Sequence, residues 1–167
     1  MEEPVTQPPG NPAADAGRPL ERTWDGLPVS PEPPFGVTVV VYRRSTRGGQ
    51  PVLEFLILHR GHQGPDFEGD WAWGPPAGAR LPGEDIRDCA RRELREETGL
   101  ELEPVPVSDL QGNWAVFRVE APPAARVRLS AEHDRSLWVP VHEAVARCRP
   151  ALVADQIRAV ARIVSGE

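Results

Sequence analysis

One predicted helix carries more acidic side chains on its inner surface than an ordinary amphipathic helix tolerates. Residues 85–98 are typical of a helix, and the apolar stripe of this helix is formed by Ile86, Ala90 and Leu94. On a wheel of about 100° per residue, Glu93 and Glu97 lie within the same inward-facing arc, and Glu96 lies on its flank. Like charges at this spacing repel by roughly 0.2–0.5 kcal/mol even when exposed, and burying unpaired carboxylates costs far more. We therefore expect a positive partner for these glutamates.

A hard divalent cation with oxygen ligands meets this requirement, and the ion expected is Mg²⁺, or Mn²⁺ in its place. Mg²⁺ retains water and binds phosphate oxygens of substrates, which suits phosphate chemistry. Arg92 neutralises part of the cluster, because it reaches Glu96 one turn later. The helical wheel alone leaves an alternative open, namely a solvated acidic surface with ordinary ion pairs four residues apart.

A longer pattern around these glutamates decides between the two interpretations. Residues 78–100 read GARLPGEDIRDCARRELREETGL, in which a glycine, five residues, a glutamate and seven residues precede Arg-Glu-Leu-x-Glu-Glu-x-Gly-Leu. This segment resembles the Nudix box at every specified position: Gly78, Glu84, Arg92, Glu93, Leu94, Glu96, Glu97, Gly99 and Leu100. A match at so many fixed spacings favours a metal site over a solvated surface.

The resemblance implies a fold and a reaction. Nudix domains are α/β proteins, α/β/α sandwiches with a mixed β-sheet, and the order of predicted elements extends the likeness to residues 35–165. By the family's pattern the metal ligands are the carboxylates of Glu93, Glu96 and Glu97. The Gly78 carbonyl would lie near the metal, and Arg92 would orient the glutamates by ion pairing. The implied reaction is Mg²⁺-dependent hydrolysis of a diphosphate linkage in a nucleoside or dinucleoside polyphosphate, by attack of water on phosphorus.

A carboxylate must accept the proton of the attacking water. Glu96 or Glu97 could act as this base, but both are needed as ligands. Nudix enzymes sometimes use a glutamate further along the chain, and here the candidate is Glu132, within Ser-Ala-Glu-His-Asp. A turn glutamate without a catalytic role is the alternative. We expect the neighbouring His133 to have a supporting or structural role and not to bind metal.

Two further segments resemble one branch of the family, the asymmetric diadenosine tetraphosphate hydrolases. The first is WGPPAG at residues 73–78, followed by PGED at 82–85, and the second is RLSAEH at 128–133, followed by Trp138 and by Glu-Ala at 143–144. One departure concerns Ala77, because that branch often carries a basic residue at this position. The absence of that basic residue here would weaken phosphate binding or change the substrate.

Substrate contacts are expected from aromatic and basic side chains near the box. Aromatic rings stack on bases, and the candidates are Phe67, Trp71, Trp73 and Trp114. Phosphate contacts are expected first from Arg60, which ends a predicted strand beside the box, and then from Arg43, Arg44 and His62. For the aromatic residues the alternative is a place in the core, and for the basic residues it is a solvated surface.

Three other functions fit the sequence less well. A pyrophosphatase that removes oxidised nucleoside triphosphates from the nucleotide pool is one, since that group has few diagnostic residues outside the box. A catalytically silent Nudix domain that binds a nucleotide and regulates a partner is another, but silent versions usually lose box glutamates. An enzyme acting on RNA 5′ ends is the third, and the acidic net charge disfavours it.

The elements that must position these residues can also be predicted. Apolar, β-branched runs predict strands at 37–42 and 52–58, joined by a turn at Gly48-Gly49, and the segment 71–83 should be irregular. Asp85 suits the helix N-cap and Gly99 its left-handed end. Shorter strands are predicted at 101–107, 113–120, 126–129 and 136–140, and helices at 141–147 and 151–164.

The composition sets limits on partners and location. The chain has 167 residues and a net charge of −6, which argues against DNA binding and leaves a small-molecule nucleotide as the expected partner. The sequence offers neither a long apolar run nor a signal peptide, so we expect a cytoplasmic protein, a monomer or homodimer, with no membrane contact. Residues 1–34 are predicted to be a proline-rich flexible tail, in which Trp24 and Leu27 are candidates for docking, and residues 35–167 the Nudix domain. Cys89 and Cys148 should be free, buried thiols.

Overall fold

The sheet at the centre of the protein is built around one strand that is buried on both faces. The computed structural model describes residues 22–23, 25–107 and 110–166. The seven strands of the sheet are β1 (Gly36–Arg47), β2 (Gln50–His59), β3 (Trp73–Gly74), β4 (Ala77–Ala79), β5 (Val105–Pro106), β6 (Trp114–Glu120) and β7 (Arg135–Val139). The helices are α1 (Ile86–Thr98), α2 (Val141–Arg147) and α3 (Ala151–Val164), and a single 3-10 turn spans Gly61–Gln63.

Strand β1 organises the sheet through its two edges. Along one edge it pairs in parallel with β6, from Gly36 opposite Trp114 to Tyr42 opposite Glu120. Along the other edge it is antiparallel, first to β4 and then to β2, which returns through the turn at Gly48-Gly49. The parallel pair among antiparallel ones makes the sheet mixed, as predicted.

Helices cover both faces of this sheet. Alternate residues of β1 point to opposite sides: Val37, Val39 and Val41 pack with α1, whereas Val40 and Tyr42 pack with the side chains of α2 and α3. The two buried clusters on either side of the sheet form the α/β/α sandwich expected from the sequence. Both thiols, Cys89 and Cys148, are free and buried within these clusters, which confirms that prediction.

Helix α1 begins and ends at the predicted residues. The Asp85 carboxylate accepts hydrogen bonds from the backbone N–H groups of Arg87 (2.9 Å) and Asp88 (3.4 Å). Gly99 has φ of 72°, a left-handed conformation that costs a glycine little. The inner face of the helix buries Cys89, Ala90 and Leu94, together with Glu93 and Glu97. These caps fix the register with which the acidic residues face the sheet.

The connecting segments differ from the predictions in three places. The segment 71–83 contains the short strands β3 and β4, because the ends of β1 and β2 offer it free edges. The strand expected at 101–107 shrinks to Val105–Pro106, since two prolines in the segment cannot donate to a ladder. Residues 126–129 do not form a strand, because the Arg128 N–H donates to the carbonyl of Thr98 at the end of α1.

Packing contacts with the domain begin before Phe35. Val29 and Ser30 are buried, and the N–H of Ser30 donates to the Arg80 carbonyl at 2.7 Å. The Arg80 guanidinium in turn donates to the Glu32 carbonyl. Residues 1–21 of the predicted tail, and Trp24, lie outside the described residues. Among the residues that are described, no helix is both long and apolar enough to span a membrane.

The N-cap supplies a first test. We expect Asp85→Ala to lower the free energy of unfolding by about 1 kcal/mol, because two N–H groups lose their acceptor. Asp85→Asn, which keeps a capping oxygen, is the matched control and should lose much less. Urea denaturation followed by circular dichroism measures both. Equal losses in the two variants would show that charge, and not capping, is the relevant property of Asp85.

Candidate active site

Two glutamates of α1 lie buried beneath β4. The residues Glu93 and Glu97 are only 8% and 2% exposed, as the helical wheel predicted, whereas the Glu96 side chain is 54% exposed. The Glu97 carboxylate accepts a hydrogen bond of 2.8 Å from the N–H of Ala77. A Cβ at Gly78 would overlap the Glu93 carboxyl group. Glycine at this position therefore lets the box loop close over the acidic helix.

Arg92 ties the loop, the strand and the helix together. Its guanidinium makes a two-pronged ion pair with Glu84, at 2.7 and 3.0 Å. It also donates to Glu93 at 2.9 Å, to Glu96 at 3.2 Å and to the carbonyl of Ala79 at 3.0 Å. The second Glu84 oxygen accepts the N–H of Leu81, which anchors the loop. Arg92 thus lies where it can orient Glu93 and Glu96, and Glu84 holds it there, while the catalytic role of Arg92 stays a prediction.

A third acidic side chain reaches this site from a distant loop. The carboxyl groups of Glu97 and Glu132 and the ring of His133 each offer a ligand atom, and these atoms lie within 4.8 Å of one another. Glu132 is half-buried and lies close enough to Glu97 to hydrogen-bond with it. The structure thus brings Glu132 to the box glutamates, and it brings His133 closer to them than the sequence suggested.

The end of β2 holds the Glu132 loop in place. His59 is fully buried, and its ring nitrogens face the Asp134 carboxylate (2.6 Å) and the Phe67 carbonyl (2.7 Å). The N–H of His62 donates to the Glu132 carbonyl. A Cβ at Gly61 would collide with Asp134, so the glycine permits this close approach. The contacts of His59 and Asp134 were not foreseen, because the two residues are 75 positions apart.

The site holds more negative charge than its described residues neutralise. Burial raises the pKa of Glu93 to about 8, although Arg92 opposes the shift, and the charges of Glu96 and Glu132 add to it. Burial, with Glu132 and Glu93 as neighbours, raises the pKa of Glu97 well above its ordinary value. Burial also raises the pKa of Glu132, with Arg60 opposing. Burial therefore disfavours the charged forms of these carboxyl groups, and a bound cation would favour those forms again.

The arrangement fits a divalent cation. The available donors are buried carboxylate oxygens, which hard cations prefer, with one imidazole nitrogen beside them. Burial and nearby cationic residues lower the pKa of His133 to about 3, so its ring is neutral at pH 7. A cation replacing the carboxyl protons would restore these glutamates to their charged form.

The predicted substrate contacts occupy different places. Arg60 follows β2 directly. Burial lowers the pKa of its guanidinium, and the charges of Glu132 and Glu97 oppose this shift, which places Arg60 close to the acidic site. Ala77 contacts Glu97 through its N–H. Trp73 is only 4% exposed and stacks obliquely on His59, with ring centroids 4.9 Å apart. Phe67 is half-buried against the same cluster. Substrate roles for these four residues stay predictions.

Two other candidates, Arg43 and Arg44, are engaged away from the box, whereas a third, Trp114, lies beside it, because its partner Thr38 pairs with Ala77. Arg43 pairs with Glu54 and lies 4.4 Å from the centre of the Trp138 ring, and Arg44 pairs with Glu120. The indole N–H of Trp114 donates to the hydroxyl of Thr38 at 2.9 Å. Trp71, by contrast, lines a cavity beside the site.

Residues 33–162 match the family model of the NUDIX domain. The chain belongs to the Nudix family. Membership confirms the family and the enzyme class predicted from the box, a Nudix pyrophosphohydrolase, and the sandwich fold agrees with it. The structure adds that two of the box glutamates, Glu93 and Glu97, are buried together and that Glu132 joins them.

Individual relatives are more distant. The chain is 33% identical over 139 residues to an octanoyltransferase of Myxococcus xanthus. The matched region is 74% of this chain but only 36% of that longer protein. It is 29% identical over 127 residues to the asymmetrical bis(5'-nucleosyl)-tetraphosphatase of Mus musculus, covering 64% of this chain and 78% of that one. A solved structure of a C. elegans Ap4A hydrolase in a binary complex has a TM-score of 0.59 and 24% identity, over 79% of this chain and 98% of that chain. The resemblance to the asymmetric diadenosine tetraphosphate hydrolases is thereby confirmed.

The raised carboxyl pKa values predict how stability depends on pH. Because Glu93 and Glu97 bind protons more tightly when folded, their stabilising contribution is complete below about pH 4.5 and is lost as pH rises toward 8. Without divalent cation, the free energy of unfolding should therefore fall between pH 5 and 8. Added Mg²⁺ should reverse the fall, with an effect that grows with pH. Chemical denaturation with and without EDTA measures this.

A double variant provides the control. Glu93→Gln with Glu97→Gln removes two of the three titrating carboxyl groups and leaves Glu132, so its stability should depend much less on pH in this window and respond much less to Mg²⁺. A wild-type protein whose stability stayed flat from pH 5 to 8 would show that these carboxyl groups are ionised without any cation.

Proposed function

We propose that this Nudix domain is a Mg²⁺-dependent hydrolase that cleaves a diphosphate linkage in a nucleoside or dinucleoside polyphosphate. The observation that carries the proposal is the meeting of Glu93, Glu97 and Glu132 in one buried acidic site beside Arg60. Relatives named as asymmetrical tetraphosphatases support a dinucleoside polyphosphate such as diadenosine tetraphosphate. Mn²⁺ is expected to be an acceptable substitute for Mg²⁺, since both ions prefer oxygen ligands.

The metal would be held by the box residues. Glu93, Glu96 and Glu97 supply carboxylate oxygens, and the carbonyl of Gly78 lies on the strand directly above them. When bound, the cation screens the phosphate oxygens and makes a bound water more acidic. Arg92 holds Glu93 and Glu96 in orientation through its ion pairs.

Glu132 is the best candidate for the general base. Glu97 is fixed as an acceptor by the Ala77 N–H and is fully buried, which suits a ligand. Glu132 lies on a loop, is half-buried, and has a pKa raised by burial, so it accepts a proton more readily than an exposed glutamate. Arg60 beside it is placed to bind a phosphate oxygen and to limit the accumulation of negative charge.

A silent binding domain is the less suitable function, because every box glutamate is present, with Glu93 and Glu97 buried and Glu96 partly exposed beside them. Cytoplasmic location, the monomeric or homodimeric state and the absence of DNA binding stay predictions from composition.

Loss of one ligand tests the metal assignment. Glu97→Gln should leave the circular dichroism spectrum unchanged and reduce Mg²⁺-dependent turnover by orders of magnitude, because a buried ligand charge is lost. Glu101→Gln, an exposed glutamate just beyond α1, is the matched control and should retain wild-type turnover. Near-normal turnover in Glu97→Gln would mean that the ligand assignment is incorrect.

The substrate is tested with a panel. Diadenosine polyphosphates, nucleoside triphosphates, nucleotide sugars and ADP-ribose should be compared with Mg²⁺, and we expect the highest kcat/KM for a dinucleoside polyphosphate. Hydrolysis in ¹⁸O-labelled water should place the label on a phosphate product, which identifies the attacked phosphorus. Preference for oxidised nucleoside triphosphates would favour the nucleotide-pool function instead.

The base assignment has a separate test. Glu132→Gln should lower kcat by about 10²- to 10⁴-fold with a smaller change in KM, because proton acceptance is lost while most of the metal site remains. The acid limb of the pH–rate profile should shift or disappear. Glu68→Gln, an exposed glutamate, is the control. An unchanged pH profile in Glu132→Gln would assign the base to another group.

A further inference from the structure

A cavity beside the acidic site collects buried polar atoms. It lies where the ends of β2 and β3 meet the first turns of α3, holds about 30 Å³ of water-accessible space and opens to solvent. Three side-chain atoms on residues that line it are buried and have no hydrogen-bond partner among the described residues: Trp73 Nε1, Gln156 Oε1 and His133 Nδ1.

The presence of several such atoms in one cavity requires an explanation. A buried polar group without a partner costs about 1–3 kcal/mol, and such groups are rare in folded proteins. Trp73 is 4% exposed and Gln156 is 9% exposed, so bulk water does not readily supply the missing partners. The atoms come from β3, from α3 and from the Glu132 loop, so no local turn explains their convergence. A bound group that completes their hydrogen bonds does explain it.

The chemistry of that group follows from the atoms. Trp73 Nε1 can only donate and Gln156 Oε1 can only accept, so the ligand must present both an acceptor and a donor. The surrounding walls include the rings of Trp71 and Pro75, which suit a flat, weakly polar body. Trp71 has φ of 69°, an uncommon conformation for a bulky residue that tends to occur at functional sites.

The cavity and the acidic site share residues. Ala77 lines the cavity and donates its N–H to Glu97, and His133 lines the cavity within 4.8 Å of the Glu97 and Glu132 carboxyl oxygens. We propose that this cavity binds the polar edge of the substrate's nucleobase, with Gln156 and Trp73 as the specificity-determining residues. A base edge carries donor and acceptor atoms on a flat ring, as these walls require. The inference rests on the proposed function, since it concerns the base of the nucleotide whose phosphates face Glu97.

Binding without hydrolysis tests the inference directly. The full chain with Mg²⁺ should be titrated with AMP, GMP, CMP and UMP by calorimetry, since monophosphates lack the diphosphate linkage. We expect at least about 10-fold discrimination among bases, the worth of one satisfied buried hydrogen bond. Purine riboside monophosphate, which lacks the amino group of AMP, should bind correspondingly weaker if adenine is the preferred base. This comparison needs no variant, so it remains decisive even if a variant fails to fold.

Variants then assign the effect to residues. Gln156→Leu should raise the KM of the preferred nucleotide about 10-fold or more, leave kcat within a few-fold, and remove the base preference. Trp73→Phe, which keeps an aromatic ring but loses the N–H, should act in the same direction. Leu152→Ala, an exposed position on the same helix, is the control and should change nothing.

The outcomes separate the two proposals. Hydrolysis with equal kcat/KM for all bases, or a base preference that survives in Gln156→Leu, overturns the base site and means that ordered water alone fills the cavity. Base-selective binding of monophosphates without hydrolysis of any substrate would instead overturn the proposed function and keep the base site.

Discussion

The buried carboxyl groups of Glu93 and Glu97 are the constraint on which the rest of this structure depends. Two acids on one helix face, met by Glu132 from another loop, cannot all be ionised in a protein interior without positive charge close by. Arg92 supplies a single positive charge, which it shares among Glu84, Glu93 and Glu96. The remaining negative charge either holds protons or binds a cation. A site with such an excess of negative charge is suited to a divalent cation that also binds phosphate.

The fold fixes this cluster through strand register as much as through the helix. Strand β4 pairs with β1 so that Gly78 lies opposite Val37. This register places the Ala77 N–H and the open space at Gly78 over α1. The pairing of β2 with β7 places His59 opposite Arg135, next to Asp134. The His59–Asp134 contact then determines where Glu132 can reach. A one-residue slip in either pair would separate the acids.

The accuracy of the sequence-based predictions follows the range of the interactions involved. Helix α1, its caps and the inward direction of Glu93 and Glu97 depend on neighbours within a few positions, and all were predicted correctly. The contact of Asp134 with His59 depends on the β2–β7 register, which no local pattern encodes. The strand expected at 126–129 was wrong because its alternating residues pack along the end of α1 instead of pairing. Gln156 was missed because a polar residue on an amphipathic helix is typical of solvent, and only the packing of α3 buries it.

The two parts of the proposed site lie on different layers of the sandwich. Phosphate chemistry belongs to α1 and the box loop on one face of the sheet, whereas the cavity is closed by α3 on the other, and the layers meet at the strand ends near Ala77. Residues of α3 can therefore change without disturbing the buried glutamates, since Gln156 contributes nothing to their hydrogen bonds. Such a division lets a Nudix domain alter its base preference while its hydrolytic group stays fixed. Ala77 and His133 are common to both parts, and the Ala77 side chain carries no charge, so under the proposed function we expect Arg60 and the metal to contact the phosphates.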